Sequence, residues 1–319
     1  MDNKITIGTW NLCLGLPNKK DYVSNLLDSY NLNVCCLQEC EVPNFLCENT
    51  LTTMNYCIEL EQNDNKKRVG IYIKNTMNYK RRKDLEEKNN HLIVIDVKLE
   101  VNYRIINVYR SFSSNDGRSP TERLQKQLDL IANALNDKSM TPIIIGDFNL
   151  DFNKAYDPFY GHHLLYQSLQ TSFEPLGLIQ LINFETWSRF VNGVKRSSII
   201  DHLYTTNPFD ISNLKQISTD IGDHYLLTFT INGTVTPPKP ILKRDWRSYN
   251  VETLLCNLSN NYDPSFKPND VQTTWNYLEN VLINVTDEIV PLTPFTNNQI
   301  SKTKTSPLLR GLINKKRDF

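Results

Sequence analysis

The chain has 319 residues, of which 39% are hydrophobic and 22% charged, and its 35 Lys+Arg are balanced by 35 Asp+Glu. This length and composition describe one large or two ordinary globular domains, and zero formal charge excludes a nucleic-acid partner announced by net charge alone. No apolar run approaches the roughly 18 residues of a membrane span, and the N-terminus lacks the basic start and apolar core of a signal peptide.

In chain order, Lys4–Trp10 reads as a strand, Asp21–Tyr30 as an amphipathic helix and Asn33–Gln38 as a buried strand. Val69–Ile73, His91–Leu99 and Tyr103–Tyr109 follow as strands, with a hairpin turn at Val101–Tyr103 between the last two. The strongest helix spans Ser119–Leu135: Ser119 can cap, Pro120 suits the first helical position, and Glu122 completes a capping box. Its Leu124, Leu128, Ile131 and Leu135 recur at helical spacing. Thr141–Gly146 reads as a strand, His162–Phe173 as a helix, and Ser198–Tyr204 and Tyr225–Ile231 as strands. Hairpins mixed with strand-helix-strand units predict a layered α/β protein with mixed sheets and helices outside.

The strand pattern ends at Asn232–Pro240, where prolines cannot continue a ladder. Beyond it, Val271, Trp275, Leu278, Leu282, Val285 and Ile289 form a helical stripe. A further helix is expected to start at Ser306 and Pro307 and to stop in mid-pattern at Phe319, as if the chain were a piece of something longer. The expected domains are therefore residues 1–232 and a mainly helical extension, 233–319.

The seven cysteines, at 13, 35, 36, 40, 47, 57 and 256, contain no Cys-x-x-Cys pair and read as reduced thiols of an intracellular protein. The basic runs Lys66–Arg68, Lys80–Lys83 and Lys302–Arg317 read first as solvated surface.

Strand ends carry the chemistry. They place Asn11, Glu39, Tyr109, Asp147 with Asn149, and Asp201 with Asp223 and His224 where one cleft could gather them. Singly, each is an ordinary turn, cap or packing residue. Together they suit the cleavage of a phosphodiester. Glu39, helped by Asn11, is an oxygen site for Mg²⁺, with Mn²⁺ as the substitute. Asp147 can orient and deprotonate water. Asn149, Tyr109 and a protonated His224 can donate hydrogen bonds to the charged transition state. Asp201 is the partner that keeps His224 protonated, and Asp223 serves the metal or the water. In "IIIGDFNLD", Gly146 is expected to let the backbone approach substrate, and Asp147 and Asn149 to point the same way by period-two spacing. Asp151 reads as a surface turn residue. Gly-x-Gly-x-x-Gly, Walker, His-Glu-x-x-His and Gly-x-Ser-x-Gly motifs are all missing, and Gly161–His163 reads as a polar helix start.

"TWN" ending in Asn11, "LQE" ending in Glu39, "GDFN" at Gly146–Asn149, "SIID" ending in Asp201 and "GDH" ending in His224 come in an order that resembles the endonuclease/exonuclease/phosphatase superfamily. That superfamily includes DNase I and the apurinic/apyrimidinic endonucleases, and the resemblance covers residues 4 to about 231. It implies a four-layered α/β sandwich, two mixed sheets flanked by helices, and a Mg²⁺-dependent phosphohydrolase with the roles above. "SIID" followed by "HLYTT", and "VYRSF" at Val108–Phe112, resemble more narrowly the nicking endonuclease of non-LTR retrotransposons.

The resemblance implies a nuclear enzyme that cuts one strand of duplex DNA and leaves a 3′-hydroxyl to prime reverse transcription. The extension after Pro240 would then lead to a reverse transcriptase outside this chain. Arg110, Lys195, Arg196 and Ser198 become candidate substrate contacts, with Trp187 and Phe190 as candidate groove contacts, although core packing also suits Trp187. The chain departs from many relatives at Arg110-Ser111-Phe112, where they are proline-rich; this loop is expected to face substrate and bears on target preference. An abasic-site nuclease, an RNA deadenylase, a lipid phosphodiesterase and a non-catalytic nucleic-acid docking module stay open as alternatives.

Overall fold

The computed structural model describes residues 4–112, 117–232, 242–244, 250–266 and 270–294. It divides into two units, Met1–Pro238 and Lys239–Phe319. The first is built on two six-stranded sheets. One runs in the order Ile211–Ile217, Leu226–Asn232, Lys4–Asn11, Val34–Gln38, Gly70–Lys74, Tyr56–Leu60. The other runs Ile179–Gln180, Asp201–Thr205, Thr141–Asp147, Tyr103–Tyr109, Leu92–Val97, Tyr79–Arg81. Each sheet is antiparallel except for one central parallel pair, Lys4–Asn11 with Val34–Gln38 and Thr141–Asp147 with Tyr103–Tyr109.

Alternation along the strands explains the layers. Ile143 and Ile145 join Ile5, Ile7, Ile71 and Ile105 in the cluster between the sheets. Ile144, one residue out of phase, packs with Leu124, Leu128, Ile131, Leu165 and Leu169 of the helices Pro120–Ala134 and His163–Phe173. On the first sheet, Trp10, Cys35 and Leu37 turn outward to Leu16, Val23 and Leu27 of the helix Leu16–Ser29. The central strands are covered on both faces, so they read as unbroken apolar runs. The result is the expected four-layered sandwich. Between the sheets, Gln38 Nε2 donates to Asn107 Oδ1 at 2.7 Å, and Asn107 Nδ2 donates to the carbonyls of Leu37 and Gly70, so this buried polar pair is satisfied.

The capping box at Ser119 and Glu122 forms as expected. The first helix begins at Leu16 rather than Asp21, with Pro17 in its first turn, where a missing N–H costs nothing. Ser198–Tyr204 is not one strand. Val194–Ser198 pairs with Trp187–Val191 as a separate hairpin, while Asp201–Thr205 joins the second large sheet. The break has a cause: the carbonyls of Ile199 and Ile200 accept from Phe152 and Phe148, so the ladder cannot run through them. Tyr56–Leu60 and Ile211–Ile217, edge strands that the pattern did not pick out, complete the first sheet.

Four cysteines are half-buried or exposed, three are buried, and all seven are free thiols. The second unit holds the helices Val251–Asn261 and Val271–Ile289 and a short strand pair, Leu242–Arg244 with Leu292–Pro294. Of the expected stripe, Val285 is buried, whereas Val271, Trp275 and Leu282 are exposed. Residues 233–240, most of the expected linker, and the expected helix from Ser306, with its basic run, lie outside the described residues. No described helix is long and apolar enough to cross a membrane.

Candidate active site

Strand direction gathers the site. Asn11 and Asp147 close their strands, Tyr109 closes the strand parallel to Asp147, and Glu39 follows Val34–Gln38. Asp201 opens an antiparallel neighbour and stands in register with Asp147, as does Tyr109. His224 lies just before Leu226–Asn232, which runs antiparallel to Lys4–Asn11. Carboxyl ends of the parallel strands and amino ends of their antiparallel neighbours thus meet at one edge of the sandwich.

The groups touch one another. Asn11 Nδ2 donates to Asp147 Oδ2 at 2.8 Å and to Glu39 Oε1 at 3.1 Å. The Tyr109 hydroxyl donates to the same Glu39 oxygen at 3.1 Å. Asp147 Oδ1 accepts from the Asn149 backbone at 2.7 Å, and Oδ2 from Asn149 Nδ2 at 3.1 Å. His224 Nδ1 lies 2.9 Å from Asp201 Oδ2. Thr186, which sequence reasoning missed, anchors Asp201 by accepting from the backbone N–H groups of Ile200 and Asp201.

Asp147 and Asn149 do meet, but not by continued strand geometry. The strand stops at Asp147 and Asn149 is left-handed (φ 51°), a conformation Asn tolerates. Phe148 between them points into the core and stacks on His202 at 5.2 Å. Gly146 is needed for a reason other than substrate. Its φ is 137°, and a Cβ there would lie 2.0 Å from the Val108 carbonyl oxygen of the adjacent strand.

Burial sets the electrostatics. Asp147 is 0% exposed. Burial and the Asp201 carboxylate raise its pKa well above the usual carboxylate range, against the opposing pull of His224. For His224, burial disfavours the charge, but Asp201, Asp147 and Asp223 outweigh it and raise the imidazole to about 9. Burial, with Glu39 and Asp147 nearby, pushes Tyr109 up strongly, so its hydroxyl stays a neutral donor. Burial opposes the Asp223 charge, yet hydrogen bonds from Cys13 and Trp187 hold its carboxyl below the ordinary value.

A cleft of about 650 Å³ opens over these groups, and Glu39, Asn149, Asp223, His224, Ser198, Arg196 and Trp187 line it. Asp147 and Asp201 lie beneath its surface. Glu39 offers carboxylate oxygens, the chemistry of a hard divalent cation, so it fits Mg²⁺ or Mn²⁺, whereas Asn11 turns its Nδ2 to Glu39 and its Oδ1 to the Cys13 N–H and so orients the carboxylate. Asp223 clusters instead with Cys13 and His224 among the described residues.

Three expectations are corrected. Arg110 is 2% exposed, and its guanidinium is spent on the carbonyls of Phe148 (2.5 Å) and Asn149 (2.8 Å), so it is an internal strut and not a phosphate contact. Ser111 is buried too, which leaves Phe112 alone of that triplet facing the cleft. Asp151 is no surface turn residue: it is buried and accepts from the backbone of Asn153 and Ile199. Lys195 is exposed but ion-paired with Glu185. In the basic run Lys80–Lys83, Arg81 pairs with Glu59 and Glu86, and Arg82 with Asp84 and Asp96. Cys13, Lys154, Tyr160 and His162 also line the cleft. No local pattern marks them, because loops far apart in the chain bring them there.

The sequence model of the "Endonuclease/Exonuclease/phosphatase family" matches residues 8–224. No curated protein matches the chain. Among solved structures, the endonuclease domain of TRAS1, a telomere-specific non-LTR retrotransposon, is 15% identical and superposes with a TM-score of 0.54 over 71% of this chain and 98% of its own. The AP endonuclease of Leishmania major is 14% identical, with a TM-score of 0.56 over 72% and 88%. The catalytic domain of Xenopus laevis APE2 is 15% identical, with a TM-score of 0.58 over 74% and 94%.

Proposed function

The chain belongs to the endonuclease/exonuclease/phosphatase family, and from that premise we propose that it is a divalent-metal-dependent endonuclease that nicks one strand of duplex DNA. One observation carries the reading: a buried Asp147 raised toward neutrality, a His224 held protonated by Asp201, and Glu39 with Asn11 and Tyr109 all meet at one edge of the sandwich beneath one cleft. Glu39, with Asn11 beside it, would hold the cation, which when bound would offset negative charge on the reacting phosphate. Asp147 takes a proton from the attacking water; its carboxylate accepts three hydrogen bonds here, which leaves one of its roughly four lone-pair directions for that water. The water oxygen bonds to phosphorus and the bond to the 3′-oxygen breaks, leaving a 5′-phosphate and, after uptake of a proton, a 3′-hydroxyl. The imidazolium of His224, on the cleft wall, donates to the phosphate oxygens as their charge grows, while Asn149, whose Nδ2 is spent on the Arg110 carbonyl (2.8 Å) and Asp147 (3.1 Å), holds the base in place.

The likeness to TRAS1 supports a retroelement setting, in which the 3′-hydroxyl primes reverse transcription and a polymerase follows in the same polyprotein, acting in the nucleus. The likeness to the Leishmania enzyme supports abasic DNA as the second reading. Supercoiled plasmid with Mg²⁺ separates them. Nicked circles should appear on intact plasmid, and Asp147→Ala or His224→Ala should lower the rate at least about a hundredfold. Cutting only after depurination would favour abasic-site repair, and binding without cutting would leave a docking module.

A further inference from the structure

Cys13 has no part in the chemistry above, yet the fold holds it at the catalytic His. Three successive residues, Cys13, Leu14 and Gly15, have positive φ (47°, 73° and 92°), a turn that brings the thiol round to face Asp223. The thiol sulfur lies 2.9 Å from Asp223 Oδ1. Across from it, Gly222 has φ 153°, and a Cβ there would sit 2.9 Å from the same sulfur. The Gly222–His224 segment is therefore shaped around the thiol. One ligand atom each from Cys13, Asp223 and His224 lie within 4.8 Å of one another. His224 is already oriented by Asp201 through Nδ1, which leaves Nε2 for a ligand, the carboxylate–histidine arrangement of many zinc centres. All three line the open cleft, so a fourth position is accessible to water or to a phosphate oxygen.

We propose that Cys13, Asp223 and His224 form a binding site for a thiophilic divalent cation, Zn²⁺ in kind, distinct from the oxygen-only site at Glu39. A sulfur, nitrogen and oxygen donor set selects zinc over magnesium. Bond lengths of about 2.0–2.3 Å put tetrahedral ligands roughly 3.3–3.8 Å apart, and the fold holds the three ligand atoms within 4.8 Å of one another with sulfur and carboxylate at 2.9 Å, so sulfur and carboxylate would move apart by under about 1 Å to receive the ion. Binding replaces the thiol proton, which passes to solvent as the sulfur–metal bond forms. Occupancy takes Nε2 of His224 away from the phosphate, so Zn²⁺ switches the enzyme off while Mg²⁺ is in excess. This inhibitory role rests on the nuclease reading; the site itself does not.

The test separates the two. Titration of the full chain with Cd²⁺, a spectroscopic stand-in for Zn²⁺, should raise a stoichiometric cadmium–thiolate absorption band. Cys13→Ser should lose it, and Asp223→Asn, which keeps the thiol, should weaken cadmium binding at least about tenfold. In the plasmid assay, Zn²⁺ should inhibit the wild type at concentrations at least about tenfold below those that inhibit Cys13→Ser, whose Mg²⁺-supported rate is otherwise unchanged. A band that persists unchanged in both variants overturns the site. A band lost as expected with equal zinc inhibition of both proteins overturns the switch. A band lost as expected in a chain that never nicks DNA upholds the site and sinks the nuclease reading.

Discussion

At the residue scale, the proposed mechanism asks opposite protonation states of two raised groups. Asp147 must be deprotonated to accept a proton, and its pKa is raised, so nicking should climb through a pH range above that of an ordinary carboxylate. His224 must be protonated to donate; its folded pKa is about 9, so the rate should fall as pH passes through that value. A bell-shaped profile of kcat/KM is the expected outcome, and His224→Gln should erase its alkaline limb in the residual activity. The same shift bears on stability. A histidine whose pKa rises on folding stabilises most below its unfolded value near 6.5, and that contribution disappears as pH climbs through about 9. Gly146 is the other decisive residue. Gly146→Ala should destabilise by about 3 kcal/mol or more in urea titrations, because the added Cβ meets the backbone of the neighbouring strand rather than a side chain able to move.

At the element scale, the hairpin Trp187–Val191 with Val194–Ser198 stands apart from both large sheets and offers Arg189, Phe190 and Arg196 to solvent. Trp187 touches both worlds: its indole reaches Asp223, and its backbone bridges that of His224. A duplex lying along this hairpin would put its phosphates beside the cleft. Arg196→Ala should weaken duplex binding and lower the slope of log affinity against log salt by about 0.9, leaving kcat unchanged. Lys195→Ala should do less, since Glu185 already neutralises that ammonium. Salt-dependent fluorescence anisotropy on a labelled duplex reads both. This hairpin was the element least legible in the chain. "KRSSIIDHLY" looks continuous, and only the loop after Asp147, by claiming the carbonyls of Ile199 and Ile200, divides it.

At the scale of the whole molecule, all three core clusters draw on residues between Ile5 and Ile231. A chain ending at Asn232 should therefore melt cooperatively and keep its nicking activity, as circular dichroism and the plasmid assay would show. The extension is different in kind: its two described helices bury Val285 but leave Trp275, Leu255 and Leu282 largely exposed.

The sequence by itself predicted the sandwich and nominated the polar residues that the fold gathers at one edge. Apolar strands covered on both faces, a strong capping box and polar groups at strand ends are local facts, readable within a few residues. They nominated Asn11, Glu39, Tyr109, Asp147, Asn149, Asp201 and His224, which the structure brings together. Only the tertiary structure decided which neighbouring charges are spent and which are free. Arg110 reads as a phosphate contact, yet its guanidinium sits on two buried carbonyls, and Asp151 reads as exposed, yet Ile199, 48 residues away, donates to it. Cys13 met Asp223 across 210 residues. The physical reason is the same in each case. A hydrogen-bond partner is chosen by proximity in space, and between segments this distant in sequence proximity is set by how two sheets pack, which no local pattern of residues records.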